Sequence, residues 1–259
     1  MKKIIDINCD MGESFGVYSI GNDEQVINYI SSANIACGFH AGDPVIMSKT
    51  ITMAIKAGVS VGAHPGFYDL IGFGRCNIQV APERIRQDII YQLGALQGIA
   101  RSQGTEVRHV KPHGSLYHIA SNDGEIAQTI VEAVLAYDPE LILMALAGSE
   151  LERAARSSNL NLAREAFADR AYHASGDLVS RQKEGSVIED IEAIGERVLR
   201  MVTEGRVKSV EGKDVEIDCD TICVHGDNKN ALNITRHMTS ILNENGIEVQ
   251  PLPAVIKAR

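Results

Sequence analysis

Seven times along the 259 residues, a short apolar segment is followed by a polar loop and then by a longer segment with helical periodicity. No stretch rich in Pro, Gly or Ser separates these repeats, so we expect one domain spanning residues 1–259. Outside the repeat, residues 206–218 predict a small hairpin and residues 246–253 a short final strand. Strands joined through helices are parallel, with right-handed crossovers. The repeat therefore predicts the α/β class, with a parallel sheet covered by helices.

Polar residues that follow the strands favour a closed barrel over an open, doubly wound sheet. Ionisable side chains come after six of the seven predicted strands, and the fifth strand (141–146) is the exception. An open sheet would gather such residues near one switch point, whereas a barrel brings all strand ends to one mouth. We therefore predict a seven-stranded parallel (β/α) barrel of TIM-like architecture.

The fourth strand illustrates the pattern of polar residues at strand ends. Pro112 and Gly114 interrupt it, which leaves Lys111 and His113 side by side where the strand opens into a loop. A capped strand with a solvated lysine would explain this strand alone, but similar residues recur at the others. In chain order they are Asp10, Glu13, His40, Asp43, His64, Asp69, Lys111, His113, Glu165, Asp169, Arg170, His225 and Asp227.

Two stretches have competing structural interpretations. Asp6, Asn8 and Asp10 share one face of an otherwise apolar first strand. That face either lines a polar cavity or finds partners elsewhere in the core, because buried polar groups need hydrogen bonds. Asp43 precedes Pro44, which is typical of a helix N-cap followed by the first helical residue. Asp43 is therefore either a cap or a site residue.

Two chemistries fit these residues. In the first, a divalent metal activates water for hydrolysis, and its ligands would be Asp10, His40, His64 and His225. In the second, no metal is needed: Lys111 and the histidines stabilise an oxyanion while a carboxylate moves the proton. The sequence contains no His-Glu-x-x-His pattern that would decide between them.

Other function classes are disfavoured by absent motifs and by charge. The sequence has no Gly-x-x-x-x-Gly-Lys-Ser/Thr loop, and Gly72-Phe73-Gly74-Arg75 lacks dinucleotide-binding spacing. A net charge of −9 argues against nucleic-acid binding, and the apolar runs are too short for a membrane span. Five cysteines without framework spacing indicate reduced thiols, so we expect a cytoplasmic protein.

Long motifs over nearly the whole chain resemble those of the LamB/YcsF family. In chain order they are Asp6-x-Asn8-x-Asp10-x-Gly12-Glu13; Asn34-x-Ala36-Cys37-Gly38-x-His40-Ala41-Gly42-Asp43-Pro44; Gly62-Ala63-His64-Pro65; Lys111-Pro112-His113-Gly114-x-Leu116-Tyr117; Glu165-x-Phe167-Ala168-Asp169-Arg170-x-Tyr172; and Cys223-Val224-His225-Gly226-Asp227. The sequence departs from the family at Cys76, where a second arginine is common, and at Ser180, where proline is common. Both departures bear on substrate loops more than on activity.

The resemblance implies a barrel of the glycoside hydrolase/deacetylase type, akin to polysaccharide deacetylases. It also implies a hydrolase that opens the lactam 5-oxo-L-proline to L-glutamate with ATP, as the A component of an enzyme with subunits B and C. Because this chain shows no recognised phosphate-binding loop, the partner subunits would bind most or all of the ATP. A homo-oligomer is also compatible with the sequence.

Within this interpretation, each group of residues has an expected role. Asp10 or Glu13 would be the general base, and Lys111 with His40 and His113 would steady the oxyanion. Arg170 would hold the substrate carboxylate. The residues expected to bind substrate are Asn8, Asp43, His64, Arg75, Glu165, Asp169, Arg170, His225 and Asp227.

Two alternatives accompany this hypothesis. The first is a stand-alone metal-dependent deacetylase or amidohydrolase acting on carbohydrate-like substrates, which a stoichiometric divalent ion would favour. The second is a non-catalytic scaffold subunit, which predicts that the partner subunits turn over 5-oxoproline without this chain.

Overall fold

The computed structural model describes residues 3–180 and 183–259. Its strands are β1 (Ile4–Met11), β2 (Ser32–Ala36), β3 (Ser60–His64), β4 (His109–Val110), β5 (Ile142–Leu146), β6 (Leu162–Phe167), β7 (Arg206–Lys208), β8 (Asp214–Glu216), β9 (Thr221–Val224) and β10 (Glu248–Val249). Its helices are α1 (Asp23–Val26), α2 (Pro44–Ala57), α3 (Pro82–Ser102), α4 (Gly114–Asn122), α5 (Gly124–Tyr137), α6 (Glu150–Ser157), α7 (Ile191–Glu204), α8 (Ala231–Glu244) and α9 (Leu252–Lys257). A 3₁₀ turn (Ile27–Tyr29) extends α1.

Seven parallel strands close into a barrel. Strands β1 to β6 pair in chain order, and β9 pairs with both β6 and β1, which completes the ring. The closing ladder sets Asp6 opposite Thr221 and Cys9 opposite Val224. The predicted seven-stranded (β/α) barrel is thus confirmed. That residues 1–259 form a single domain stays a prediction.

Local sequence signals explain where the outer helices begin. The Asp43 carboxylate caps α2 by accepting hydrogen bonds from the backbone N–H groups of Val45 and Ile46 at 2.8 and 2.9 Å. Asp123 caps α5 in the same way. Caps of this kind typically contribute about 1 kcal/mol each. Helices α2 and α5 therefore begin where the sequence places Asp ahead of an amphipathic stretch.

The first strand separates an apolar outer layer from a polar barrel interior. Side chains alternate along a strand, so every second residue of β1 faces the same way. Those packed in the main hydrophobic core are Ile5, Ile7, Cys9 and Met11. The three between them, Asp6, Asn8 and Asp10, are buried and hydrogen-bond to side chains of the neighbouring strands β2 and β9. The face therefore lines a polar interior, one of the two alternatives the sequence left open.

Helix α9 closes the end of the barrel at which the strands begin. Leu252 packs with Ile142 and Met144 in a separate apolar cluster, and its N–H donates to Ser32 Oγ at 3.2 Å. The strand predicted over 246–253 is therefore shorter than expected. Strand β10 covers Glu248–Val249 alone, and the chain then turns helical because proline is tolerated in a first helical turn.

Helix α4 was not predicted. It begins at Gly114, directly after His113, where the sequence indicated a loop. Leu116 and Ala120 lie four residues apart on its buried face, the spacing of neighbours on a helix. The strand-breaking Pro112 and Gly114 hid this helix, whereas the hairpin of β7 and β8 formed as predicted.

The state of the cysteines and the apolar character of the helices can be compared with what the sequence led us to expect. All five cysteines, at positions 9, 37, 76, 219 and 223, are free thiols. None of the helices within residues 3–180 and 183–259 combines the length and the apolar character needed to cross a bilayer.

Candidate active site

The polar residues at the strand ends converge in the mouth of the barrel. Asp10 lies near the end of β1, His64 ends β3, Lys111 follows β4 and His225 follows β9. All four side chains are buried, with no more than 8% of each residue's surface exposed. His40, His113 and Glu165 are buried there as well. The barrel topology thus brings together residues that are far apart in the sequence.

Lys111 is the hub of the buried charges. Its Nζ donates hydrogen bonds to Asp10 Oδ1 at 2.9 Å, Cys223 Sγ at 3.0 Å and Asn8 Oδ1 at 3.3 Å. Glu165 Oε1 lies 2.9 Å away, an ion-pair distance at an angle that does not suit a hydrogen bond. Since an ammonium group has three N–H donors, this one is fully engaged.

The charges around Lys111 fix its protonation and that of Asp10. Burial opposes the ammonium charge, but attraction to Asp10, Cys223 and Glu165 raises the pKa of Lys111 well above its usual value. Burial likewise raises the pKa of Asp10, but His64 and Lys111 outweigh it and hold that pKa well below its usual range. Asp10 is therefore an ionised carboxylate whose electrostatic partners are already in place.

A layer of neutral polar groups supports Asp10 from below. Asn34 Nδ2 donates to Asp10 Oδ1 at 2.9 Å and to Asn8 Oδ1 at 2.7 Å. His109 Nε2 lies 3.1 Å from Asn34 Oδ1, so this nitrogen carries the proton. A Cβ on residue 62 would lie 1.9 Å from the same nitrogen, so only glycine leaves room for the His109 ring.

The first polar residue of β1 sits deeper in the same interior. The carboxylate of Asp6 accepts hydrogen bonds from Ser31 Oγ at 2.6 Å, Ser32 Oγ at 2.7 Å and the Thr221 hydroxyl. Burial raises the pKa of Asp6 to about 6, because these three hydrogen bonds compensate only part of the lost hydration. Asp6 shapes the interior rather than the mouth.

Three histidines and a glutamate form a second group, which we call the histidine cluster (Glu13, His40, His64 and His113). One ligand-type atom from each residue lies within 4.8 Å of the others. His64 Nε2 is 3.0 Å from His113 Nδ1 and 3.5 Å from Asp10 Oδ1. The rings of His40 and His113 are stacked, with centroids 3.7 Å apart and planes inclined by 3°.

Burial sets the charge of this cluster. Burial and the neighbouring histidines lower the pKa of His40 well below its usual value, and that of His113 likewise. Both imidazoles are therefore neutral near pH 7. Burial, Asp10 and Asp227 raise the pKa of Glu13 well above its usual value, which favours its protonated form. Strongly perturbed groups gathered in one place are typical of functional sites.

A glycine-rich loop, Gly72–Arg75, covers the histidine cluster. The Phe73 carbonyl accepts a hydrogen bond from His113 Nε2 at 2.8 Å. Gly74 has a φ of +63°, and a Cβ there would lie 2.7 Å from the Cβ of His40. Glycine at this position thus allows the backbone to close over the imidazoles. The sequence showed the glycines but gave no sign of what they cover.

A second carboxylate–histidine pair borders the mouth. His225 Nδ1 lies 2.9 Å from Asp169 Oδ1, and Asn228 Nδ2 donates to Asp169 Oδ2 at 3.1 Å. The His225 ring stacks on Phe167 with centroids 5.4 Å apart. Asp169 therefore fixes the orientation and tautomer of His225.

Comparison with known proteins identifies the family of this barrel. Residues 5–257 match the profile of the LamB/YcsF family. The chain belongs to that family. A relative from Clostridium beijerinckii, named as the A subunit of 5-oxoprolinase, is 53% identical over 248 residues, which cover 96% of this chain and 97% of the relative.

Solved structures agree with this assignment. The lactam utilization protein from Thermus thermophilus has a TM-score of 0.91 and 43% identity, covering 95% of this chain and 99% of that one. A family 4 carbohydrate esterase from Streptomyces lividans has a TM-score of 0.52 and 11% identity, covering 95% and 91%. At that identity the esterase shows a shared barrel fold alone. The fold expected from the LamB/YcsF resemblance is confirmed.

Two residues predicted to bind substrate have structural tasks in this LamB/YcsF barrel. Asp43 caps α2 and also accepts from the Gly16 N–H at 2.9 Å. Arg170 is buried, and its Nη2 donates to the Val179 carbonyl at 2.6 Å. Its Nε also donates to the Ser186 carbonyl at 3.4 Å, so Arg170 organises the loop that follows β6.

The side chain of Arg75 is partly exposed to solvent, whereas that of Arg170 is buried. Its Nη2 lies 2.7 Å from Asp227 Oδ2, which links the loop after β3 to the loop after β9. About a third of the Arg75 side chain (35%) is exposed at the mouth. Its guanidinium also lies over the Phe73 ring, 4.9 Å from the centroid. Arg75 can therefore meet an anionic ligand at the surface of the histidine cluster.

Two contributors to the LamB/YcsF site were missed from the sequence. Tyr117, on the unpredicted helix α4, donates from its hydroxyl to Glu165 Oε2 at 2.6 Å. Cys223, the third residue of β9, contacts the ammonium of Lys111. Both residues lie in motifs that the sequence shares with the family, at Leu116-Tyr117 and Cys223-Val224. Those motifs do not indicate which side chains Tyr117 and Cys223 contact.

The predicted metal-ligand set is divided between two groups. Asp10 and His225 lie with Cys223, whereas His40 and His64 lie with Glu13 and His113. The ligand atoms within each group approach one another to within 4.8 Å. The structure therefore offers two compact sets of metal-ligating side chains among the residues it describes.

Proposed function

We propose that this chain is the barrel component of an ATP-dependent 5-oxoprolinase, which opens 5-oxo-L-proline to L-glutamate together with partner subunits B and C. The observation that carries the proposal is the similarity to proteins named as the A subunit of 5-oxoprolinase, at 53% and 51% identity over 96% of this chain. A lettered name of this kind itself points to an enzyme built from several chains. The five free thiols support a cytoplasmic location for it.

Opening a lactam requires three chemical events. A water oxygen bonds to the ring carbonyl carbon, the bond from that carbon to the ring nitrogen breaks, and the nitrogen takes up a proton. Since an amide is stable, transfer of the terminal phosphoryl group of ATP to its oxygen, with release of ADP, would make the carbonyl carbon reactive. That group would then leave as inorganic phosphate when the carboxylate of glutamate forms. The sequence contains no Gly-x-x-x-x-Gly-Lys-Ser/Thr loop, so we assign that activation to the partner subunits and the ring opening to the barrel.

Proton transfer is assigned to the histidine cluster. Asp10 is ionised and held by Lys111, Asn34 and His64, which makes it an orienting group rather than a mobile base. His40 is buried beside Glu13, and neither of its ring nitrogens has a hydrogen-bond partner among the described residues. We therefore assign the proton-carrying role to His40.

The contacts of Lys111 favour a role other than the oxyanion stabilisation expected from the sequence. A substrate oxyanion would have to displace one of its existing partners, because all three N–H donors are used. We propose that Lys111 holds Asp10 and Glu165 in their ionised positions. Arg75 is assigned the substrate carboxylate, since it is accessible and arginine binds carboxylates in a bidentate manner.

The proposal is tested by measuring 5-oxoproline-dependent ATP hydrolysis and glutamate release. The chain is assayed alone, subunits B and C are assayed alone, and all three are assayed together. We expect glutamate only from the complete mixture and no 5-oxoproline-dependent ATP hydrolysis from this chain alone. A His40→Ala variant in the complete mixture is the negative control.

Two results would contradict the proposal. Robust ATP hydrolysis by the isolated chain would reveal a nucleotide site of its own. Normal glutamate release by subunits B and C without the chain would make it a scaffold. Release of acetate from chito-oligosaccharides by the isolated chain would instead support the deacetylase alternative.

A further inference from the structure

We propose that Glu13, His64 and His113 form a binding site for a divalent transition-metal ion. Two imidazole nitrogens of the histidine cluster face each other at a distance that needs a proton or a cation between them. His64 Nε2 and His113 Nδ1 are 3.0 Å apart, and both side chains are buried. At that distance a cation or a proton must stand between two lone pairs.

The opposite nitrogens of both rings are held by backbone carbonyls. His64 Nδ1 is 2.7 Å from the Lys111 carbonyl, and His113 Nε2 is 2.8 Å from the Phe73 carbonyl. A carbonyl oxygen only accepts, so each of these ring nitrogens carries the proton. The far nitrogens are thus used, and the two facing nitrogens are left with a proton or a cation to share between them. Histidines that bind metals are held in this way, with the far N–H donated to a carbonyl or carboxylate.

Two further side chains of the cluster, His40 and Glu13, are buried beside these rings. Both ring nitrogens of His40 are buried and have no hydrogen-bond partner among the described residues. Glu13, with 3% of its surface exposed, belongs to the same cluster. Buried polar groups are rarely left unsatisfied, so the unpartnered imidazole of His40 beside a buried carboxyl indicates a ligand in this cluster.

The stacking of His40 separates its role from that of the three proposed ligands. A metal lies in the plane of each imidazole that binds it. The His40 and His113 rings are parallel and 3.7 Å apart, so one ion cannot lie in both planes. The ligands are therefore Glu13, His64 and His113, and His40 is left to hydrogen-bond a water or substrate oxygen on the ion.

The other compact group is a poor site for a metal. Asp10 and Cys223 already bind a cation, the ammonium of Lys111, at 2.9 and 3.0 Å. A divalent ion there would meet a positive charge at close range. The His225 ring is also oriented by Asp169 rather than by Asp10. The positive charge of Lys111 thus disfavours a metal ion in this second group and leaves the histidine cluster as the better site.

The ligand chemistry indicates the class of metal. Two imidazoles and one carboxylate suit Zn²⁺ and its neighbours in the first transition row, and three protein ligands leave a position open. Under the proposed function, on which this one step rests, an ion there would polarise the lactam carbonyl. Metal binding itself is independent of that function.

The test measures metal uptake by the full-length chain. Purified protein is stripped with a chelator, incubated with Zn²⁺ or Co²⁺ and gel-filtered, and its metal content is determined by mass spectrometry. We expect one equivalent per chain, a rise in melting temperature with Zn²⁺, and the visible absorption of four-coordinate Co²⁺. His64→Gln and His113→Gln should each weaken metal binding by more than about 10-fold. Loss of a group that only supports a ligand already costs about that much, and loss of the ligand itself should cost more.

A matched control separates the two groups. His225→Gln replaces a histidine of the same mouth and should keep one equivalent of metal. Circular dichroism of each metal-free variant shows whether it is folded, and Glu13→Gln, which keeps the shape of the side chain, gives a third ligand variant. It should also lower the Zn²⁺-induced rise in melting temperature.

Two outcomes would overturn the site. Folded wild-type protein that takes up no metal and shows no thermal shift would mean that His64 and His113 share a proton instead. Loss of metal from His225→Gln with retention by His113→Gln would place the ion in the other group. One equivalent of metal in a chain that releases no glutamate with subunits B and C would uphold the site and contradict the proposed function.

Discussion

Replacing Lys111 with methionine keeps an unbranched apolar stem of similar length but removes the charge that lies between Asp10 and Glu165. Both carboxylates are 2.9 Å from the ammonium, and none of the three side chains is more than 8% exposed. After the substitution, the two buried carboxylates would lose the ammonium that lies between them. The structure therefore predicts that Lys111→Met is first a defect of stability.

The expected size of the defect follows from the burial of the ion pairs. Breaking a buried ion pair by removing one partner typically costs about 3–5 kcal/mol, because the remaining charge is left uncompensated. For a protein of this size that corresponds to a fall in melting temperature of roughly 6–20 °C. Adding Glu165→Gln removes one of the two unpaired charges, so the double variant should be more stable than Lys111→Met alone.

Urea unfolding monitored by circular dichroism measures these differences. Lys56→Met is the matched control, since Lys56 is exposed and its replacement should change stability by less than about 0.5 kcal/mol. A loss below about 1 kcal/mol for Lys111→Met would refute the counter-ion role. So would a double variant no more stable than the single one. The charge of Lys111 would then be available for oxyanion stabilisation.

Three other predictions follow from single sites. The folded-state pKa of Asp6 is raised to about 6, so its contribution to stability is full below about pH 4 and is lost as the pH rises through 6. The stability of Asp6→Asn relative to the wild type should therefore increase by about 2–3 kcal/mol from pH 4 to pH 7.5. A difference in the free energy of urea unfolding that does not change with pH would contradict this. Gly62→Ala should destabilise the protein by about 1–3 kcal/mol or more, because the added methyl group clashes with His109. Gly98→Ala, on an open face of α3, should instead stabilise it by about 0.5–1 kcal/mol. Equal melting temperatures for the two variants would refute this contrast. Arg75→Ala should raise the KM for 5-oxoproline in the complete mixture more than it lowers kcat, and an unchanged KM would remove Arg75 from substrate binding.

The barrel was predictable because each repeat carries its own local signals. Asp43 and Pro44 mark the start of α2, and residues 221–224 were assigned to the seventh barrel strand with the bounds that the structure shows. The gathering of Asp10, His40 and Lys111 in one mouth followed from topology alone, since parallel strands end at the same side of a barrel.

The chemistry within the mouth was not predictable, because it depends on contacts between distant residues. The tautomer of His113 is set by a carbonyl 40 residues away, and that of His64 by one 47 residues away. No local pattern encodes these distances. The full engagement of Lys111 rests on partners 101 to 112 residues away, so its accessibility could not be judged from its own neighbourhood.

Closure of the barrel by β1 and β9 has a consequence for how the protein is made. The hydroxyl of Thr221 and the carboxylate of Asp6 are 215 residues apart in sequence. At typical rates of synthesis, the first strand waits roughly 10–40 s on the ribosome before its closing neighbour emerges. During that interval one edge of β1 is open, and open strand edges recruit other chains. Soluble yield should therefore fall when many copies are translated together and improve when cells are grown cooler at lower induction.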